Sequence, residues 1–143
     1  MISVVLHCNV EIPLIDKLFF PQPWTEEQWN QAFLNKNYRI FSLLKNEKLI
    51  GFALFQVDVE DQFSHLLKVL VLPNESNKGY GALLLKNALL FLSNECINRL
   101  YLEVAVSNFY AISCYKRLGF EILTLKRRFY SNGDDAYAMQ LLL

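Results

Sequence analysis

At 143 residues the chain can bury one hydrophobic core but is too short for two ordinary domains, so a single domain over residues 1–143 is expected. Its 14 Lys and Arg balance its 14 Asp and Glu, which gives no electrostatic case for a nucleic-acid partner or an anionic membrane surface. The three cysteines, Cys8, Cys96 and Cys114, are widely separated and lack Cys-x-x-Cys spacing or histidine company, which argues against a metal and for buried thiols.

The start "MISVVLHCNVEIPLIDK" has no basic stretch ahead of a sustained apolar run, and no apolar run approaches the roughly 20 residues of a bilayer span. A soluble, cytoplasmic protein in a reducing compartment is therefore expected. "ISVVL" reads as a first strand. "PLIDKLFF" has helical spacing with Pro13 in its first turn, and "FPQPW" breaks it. In "TEEQWNQAF", Thr25 and Gln28 form a capping box, Glu26 and Glu27 suit the positive helix end, and Trp29, Ala32 and Phe33 share a face. The runs Arg39 to Leu44 and Leu49 to Val57, joined by a polar "KNEK", predict a strand hairpin.

After the acidic loop "DVEDQ", the run "HLLKVLVLP" is apolar on both faces apart from Lys68, the pattern of a central strand that Pro73 ends. From Gly79 to Leu92 the period is helical. "NRLYLEVAV" predicts a second buried strand, with Leu100, Leu102, Val104 and Val106 on one face and Tyr101, Glu103 and Ala105 on the other. "SNFYAISCYKRLGF" predicts a helix capped by Ser107 or Asn108 and stopped by Gly119. Two strands, about Glu121 to Arg128 and Ala136 to Leu142, flank the turn "YSNGDD". The order is mixed α/β, with an antiparallel front half and a strand-helix-strand unit in the middle.

Two readings are open for Gly79 and Gly81: a flexible turn before a core helix, or an anion cradle in which backbone amides at the helix start approach a phosphate closely. The strand-loop-helix setting favours the second, because ligands of α/β sheets bind beyond the strand ends. The amides of Asn77, Lys78, Gly79, Tyr80, Gly81 and Ala82 would then hold a pyrophosphate, with Lys78 adding charge. The Gly-x-x-x-x-Gly-Lys-Ser/Thr pattern is absent, and Leu84 stands where a dinucleotide fingerprint needs a third glycine. Glu103 is a carboxylate in an apolar strand, either on a partly solvated face or buried as a base whose pKa burial would raise. Tyr115, on the following helix, reads either as a core aromatic or as a side chain facing the same crevice, and its neighbour Cys114 reads as a small core residue. His7 and His65 read as structural.

In order and spacing, "VLVLPNESNKGYGALLLKNAL", "LYLEVAVSNFYAISCYKRLGF" and "RRFYSNGDDAYAM" resemble the GNAT superfamily of acetyl-CoA-dependent N-acetyltransferases. Within it the chain is similar to the RimI-type ribosomal-protein-alanine acetyltransferases, which also carry a "FPQPWT"-like segment. The resemblance covers about Phe20 to Met139. It implies an α/β (α+β) fold, with a mixed, largely antiparallel sheet of about six to seven strands flanked by about four helices. It also implies acetyl-CoA as cosubstrate without a metal, and a peptide or protein N-terminus, such as that of a ribosomal protein, as acceptor.

Carried over by position, the resemblance implies Glu103 as general base, Tyr115 as general acid and Asn108 as a cofactor contact. It implies Val69, Leu70 and Val71 as the backbone that meets the pantetheine arm. Ser76 departs from the usual Gln or Arg, and His65 stands where many relatives have an acid. Direct transfer without an acetyl-enzyme is expected, the thioester carbonyl being polarised by a strand N–H near Leu70. Phe20, Trp24, Trp29, Phe129 and Tyr130 are candidates for an acceptor groove, core packing being the alternative reading that accounts for most of them. The alternatives are an acetyltransferase of a small amine or lysine, a cofactor-binding module without turnover, and a purely structural domain.

Overall fold

The computed structural model describes residues 1–6 and 9–143; His7 and Cys8, with the readings made for them, lie outside the described residues. The described chain runs β1 (Ile2–Leu6), α1 (Ile12–Phe19), α2 (Glu26–Leu34), β2 (Tyr38–Lys45), β3 (Lys48–Asp58), β4 (Phe63–Val71), a 3₁₀ turn (Pro73–Glu75), α3 (Tyr80–Asn94), β5 (Arg99–Ala105), α4 (Phe109–Leu118), β6 (Glu121–Lys126) and β7 (Ala136–Leu142). The strands form one sheet in the order β1-β2-β3-β4-β5-β7-β6, antiparallel everywhere except β4 against β5. This is the mixed, largely antiparallel sheet of six to seven strands with about four helices that the resemblance implies.

Strand alternation divides the core in two. Phe41, Leu43, Ala53, Phe55, Leu100, Leu102 and Val104 pack with Leu84, Leu85, Ala88 and Leu92 of α3 and with Ile112 and Tyr115 of α4. The intervening Ile40, Phe52 and Leu54 pack with Ile12, Ile15, Trp29 and Ala32 of α1 and α2. The helix pairs therefore cover opposite faces of the sheet. α2 begins at the expected capping box: Thr25 Oγ accepts from the Gln28 N–H at 3.1 Å and Gln28 Oε1 accepts from the Thr25 N–H at 2.8 Å. α4 stops at Gly119, whose φ of +105° is left-handed.

Two irregularities position the site. The β3–β4 ladder shifts register between Leu54 and Phe55, which pair with Lys68 and Leu66, so Leu67 is the extra residue of a bulge in β4. Beyond it β4 leaves its other neighbour. The parallel β4–β5 ladder has only the rungs Phe63–Arg99, Ser64–Leu100 and His65–Tyr101, and the two strands part from Leu66 and Leu102 onward. On the other side the backbones stay tight, since a Cβ on Gly51 would lie 2.5 Å from the Leu70 carbonyl oxygen.

Candidate active site

The open end of the seam between β4 and β5 leads into a cleft of about 200 Å³ against α3 and α4. Val69, Leu70, Val71, Glu75, Ser76, Asn77, Gly79, Tyr80, Gly81, Leu85, Tyr110, Ala111, Cys114 and Tyr115 line it. The Leu72 N–H donates to the Ile50 carbonyl at 2.8 Å. Alternation along an antiparallel strand then turns the Leu70 amide the same way, toward β3, and those of Val69 and Val71 into the seam. The strand donor expected near Leu70 is thus supplied by its neighbours.

The N-terminus of α3 is built to receive an acceptor group. Gly79 is its N-cap with φ +81° and offers no side-chain cap, whereas Thr25 and Asn108 cap α2 and α4. The first bond of α3 runs from the Leu83 N–H to the Gly79 carbonyl at 3.1 Å, which leaves the amides of Tyr80, Gly81 and Ala82 to a ligand or water. A Cβ on Gly79 would meet nothing within 4 Å, and one on Gly81 would meet only Val71 Cγ2 at 3.9 Å, so the space over both glycines is open. Uncapped amides of this kind are chemically suited to a phosphate oxygen, the group that the cradle reading of the sequence assigns to them.

Lys78 is exposed and lies outside the lining of the cleft, 3.0 Å from Glu75 Oε2, while Lys45 reaches the same oxygen at 3.1 Å. These contacts, that of Lys78 first, hold Glu75 below the usual carboxylate range. Ala82 also lies outside the lining, in the first turn of α3, as does Asn108, whose Oδ1 is used in accepting from the Ala111 N–H at 3.2 Å.

Tyr115 is 8% exposed, and burial pushes its phenol well above the ordinary range. Cys114, expected in the core, is half-buried and lines the cleft, and Cys96, expected to be buried, is exposed.

Glu103 sits on the opposite face of the sheet. Its neighbours Leu102 and Val104 join the α3/α4 core, so its side chain points to the α1/α2 side. The two expected catalytic side chains therefore flank the seam from opposite faces rather than sharing one crevice wall.

Glu103, whose side chain is 11% exposed, lies in a cluster of donors. Its Oε1 is 2.7 Å from His65 Nε2, and its Oε2 accepts from Tyr101 Oη and Lys126 Nζ, both at 2.9 Å. Burial pushes this carboxyl up, but the bonds from Lys126, His65 and Tyr101 together outweigh it and hold the group below its ordinary value. This reverses the expectation of a raised pKa. In return the Lys126 ammonium, beside Tyr101 and Glu103, is pushed up to about 12. His65, read as an isolated structural residue, is a direct partner of the carboxylate.

The candidate groove aromatics separate. Trp29 is fully buried in the α1/α2 core, with Phe20 and Trp24 packed against it. Phe129 lies under Lys126 Nζ at 5.2 Å, with Tyr130 edge-on to it. The two groups meet where the Gln22 side-chain amide donates to Ser131 Oγ.

Spacing alone did not reveal His65, Tyr101 or Lys126 as partners of Glu103, nor Asp16 of α1 as the buried partner of Lys68 at 2.7 Å. The available signals were Tyr101 two residues before Glu103, hence on the same strand face, and Lys68 as the one charge in a central strand. No group of His, Cys, Asp and Glu among the described residues is arranged to hold a metal, and no described helix is long and apolar enough to cross a membrane.

The chain matches the acetyltransferase (GNAT) family over residues 10–120. It is 34% identical over 124 residues to the [ribosomal protein bS18]-alanine N-acetyltransferase of Escherichia coli strain K12, covering 83% of this chain and 80% of that one. It is 29% identical over 135 residues to an N-alpha-acetyltransferase of Sulfolobus acidocaldarius, covering 77% and 80%. Among solved structures, the ribosomal-protein-S18-alanine N-acetyltransferase from E. coli superposes with a TM-score of 0.88 at 29% identity, over 99% of this chain and 94% of that one.

Proposed function

The chain belongs to the acetyltransferase (GNAT) family as an acetyl-CoA-dependent N-acetyltransferase, and from that premise we propose that its acceptor is the N-terminal α-amino group of a protein, with Glu103 as general base and Tyr115 as general acid. Two relatives support the acceptor class, one named for the alanine of a ribosomal protein and one as an N-alpha-acetyltransferase. A ribosomal protein is accordingly the first acceptor to try.

Acetyl-CoA supplies an activated acetyl thioester. The amides of Tyr80, Gly81 and Ala82, with the loop from Asn77, would hold its pyrophosphate, and Val69 to Val71 its pantetheine arm. The seam-facing amides of Val69 and Val71 are placed to polarise a carbonyl entering the gap. Tyr115, kept protonated by burial, donates to the departing sulfur and regains its proton from solvent. On the other face Glu103 takes the proton of the incoming amine, directly or through water.

The observation that carries the choice of acceptor is the Glu103 cluster. A carboxylate held below its ordinary pKa by three donors is a weak base. It suits an α-amine, with a pKa of about 8 and a substantial neutral fraction near neutral pH, better than a lysine with a pKa of about 10.4.

The test is a mass-spectrometric acceptor screen with acetyl-CoA. It compares peptides bearing free N-termini with the same peptides blocked, with lysine as the only amine, and with small amines. Modification confined to free N-termini supports the reading; modification of lysines or small amines alone overturns it.

A further inference from the structure

Lys68 is 7% exposed at the middle of β4, one residue before the seam-facing Val69. Its Nζ lies 2.7 Å from Oδ1 of Asp16, a residue of α1 with no exposed surface. The other Asp16 oxygen accepts the Trp24 N–H and the Trp29 Nε1–H, both at 2.8 Å. Lys68 also reaches the Gln22 carbonyl at 3.4 Å and lies 4.7 Å from the ring centre of Phe20 and 5.6 Å from that of Trp24. A single buried ion pair therefore engages Phe20, Gln22 and Trp24, three of the four non-proline residues of the segment that joins α1 to α2. The same segment touches the β6–β7 connection through Gln22 and Ser131.

Net stability is a poor explanation for such a pair. Removing two charges from water carries a large desolvation penalty, and well-packed apolar replacements are often as stable. What the pair does supply is position, because charge-assisted bonds of defined direction hold a two-proline segment to the strand that borders the seam.

We propose that Asp16 and Lys68 are positioning residues that fix segment 20–24 against β4, and so set the protein-N-terminus groove relative to the thioester. The groove half of this proposal rests on the acceptor reading above; the tether half does not.

The test is the double variant Asp16→Asn/Lys68→Met. It keeps an oxygen for both tryptophan donors and a chain of similar volume, while removing both charges. Hydrogen exchange at the Trp24 amide, which donates to Asp16, reads the tether without any acceptor, and steady-state kinetics read the groove. Faster exchange, with the acceptor-peptide KM raised about tenfold to a hundredfold and the acetyl-CoA KM unchanged, is expected. Unchanged exchange overturns the tether. Faster exchange with an unchanged acceptor KM, or an equal rise in both KM values, overturns the positioning role. Should the double variant fail to fold, the single Asp16→Asn, which keeps an oxygen for both tryptophan donors but removes the carboxylate that pairs with Lys68, is read in the same way: faster exchange with a selectively raised acceptor KM is expected, and wild-type values of both overturn the proposal. If the wild-type enzyme modifies no peptide N-terminus, the acceptor reading falls while amide exchange still decides the tether.

Discussion

His65 Nε2 lies 2.7 Å from Glu103 Oε1, at the last rung before β4 and β5 part. With Tyr101 and Lys126 on the other oxygen, the carboxylate meets three donors at the edge of the opening it is proposed to serve and keeps acceptor capacity on Oε1. Its charge state is therefore set by its neighbours more than by its burial.

Replacing Lys126 by Met removes the strongest of those neighbours, so Glu103 is expected to titrate at higher pH than in wild type. Carbon-13 NMR of the Glu103 carboxyl as a function of pH measures this directly. The stability consequence follows in sign. A carboxyl whose folded pKa is depressed stabilises the fold fully above its unfolded value of about 4.3, and loses that contribution as pH falls through the folded value. Wild type is thus expected to lose more stability than Lys126→Met on acidification, as read from urea denaturation at neutral and acid pH.

Glu103→Gln and Tyr115→Phe remove the proposed proton acceptor and donor while leaving the α3 cradle untouched. Each is expected to lower kcat by about 10²- to 10⁴-fold. Calorimetric binding of acetyl-CoA should be retained in both. Near-wild-type turnover in either variant would remove that residue from the mechanism.

Gly79 and Gly81 separate backbone strain from ligand contact. At Gly79, φ is +81°, so Gly79→Ala is strained by its backbone despite the open space. Gly81 lies in helical backbone, and an added Cβ meets only Val71 Cγ2 at 3.9 Å, so Gly81→Ala fits the free protein. Gly81→Ala is expected to keep or slightly raise Tm yet weaken acetyl-CoA binding by about tenfold or more, a loss of about 1.4 kcal/mol. Thermal melts with and without the ligand check both halves.

Thr25→Ala breaks the capping box of α2 at an exposed position that does not line the cleft. A loss of about 1 kcal/mol in chemical denaturation is expected, with acetyl-CoA binding unchanged.

Local patterns made much of the fold legible. The capping box at Thr25 and the left-handed stop at Gly119 depend on residues a few positions apart, and the structure contains both. The alternation in "YLEVAV" separated Leu102 and Val104 from Glu103, and they do face opposite sides of the sheet. Gly-x-Gly ahead of an apolar helix marked the uncapped start of α3 for the same reason, since backbone freedom is written in residue type. Lys68 was visible as an exception in its strand, but its partner lies 52 positions away in α1.

By itself, the sequence determined the order of elements and the positions of Gly79, Gly81, Glu103 and Tyr115, because propensity, capping and period act over a few bonds, while its family resemblance implied the single mixed sheet. Only the tertiary structure decided that a bulge at Leu67 opens the seam, that Val69 and Val71 rather than Leu70 face it, and that His65, Tyr101 and Lys126 surround Glu103. It also turned the predicted rise in the Glu103 pKa into a depression. The physical reason is that ionisation and strand separation depend on distances between groups far apart in the chain, and those distances exist only once the sheet has closed.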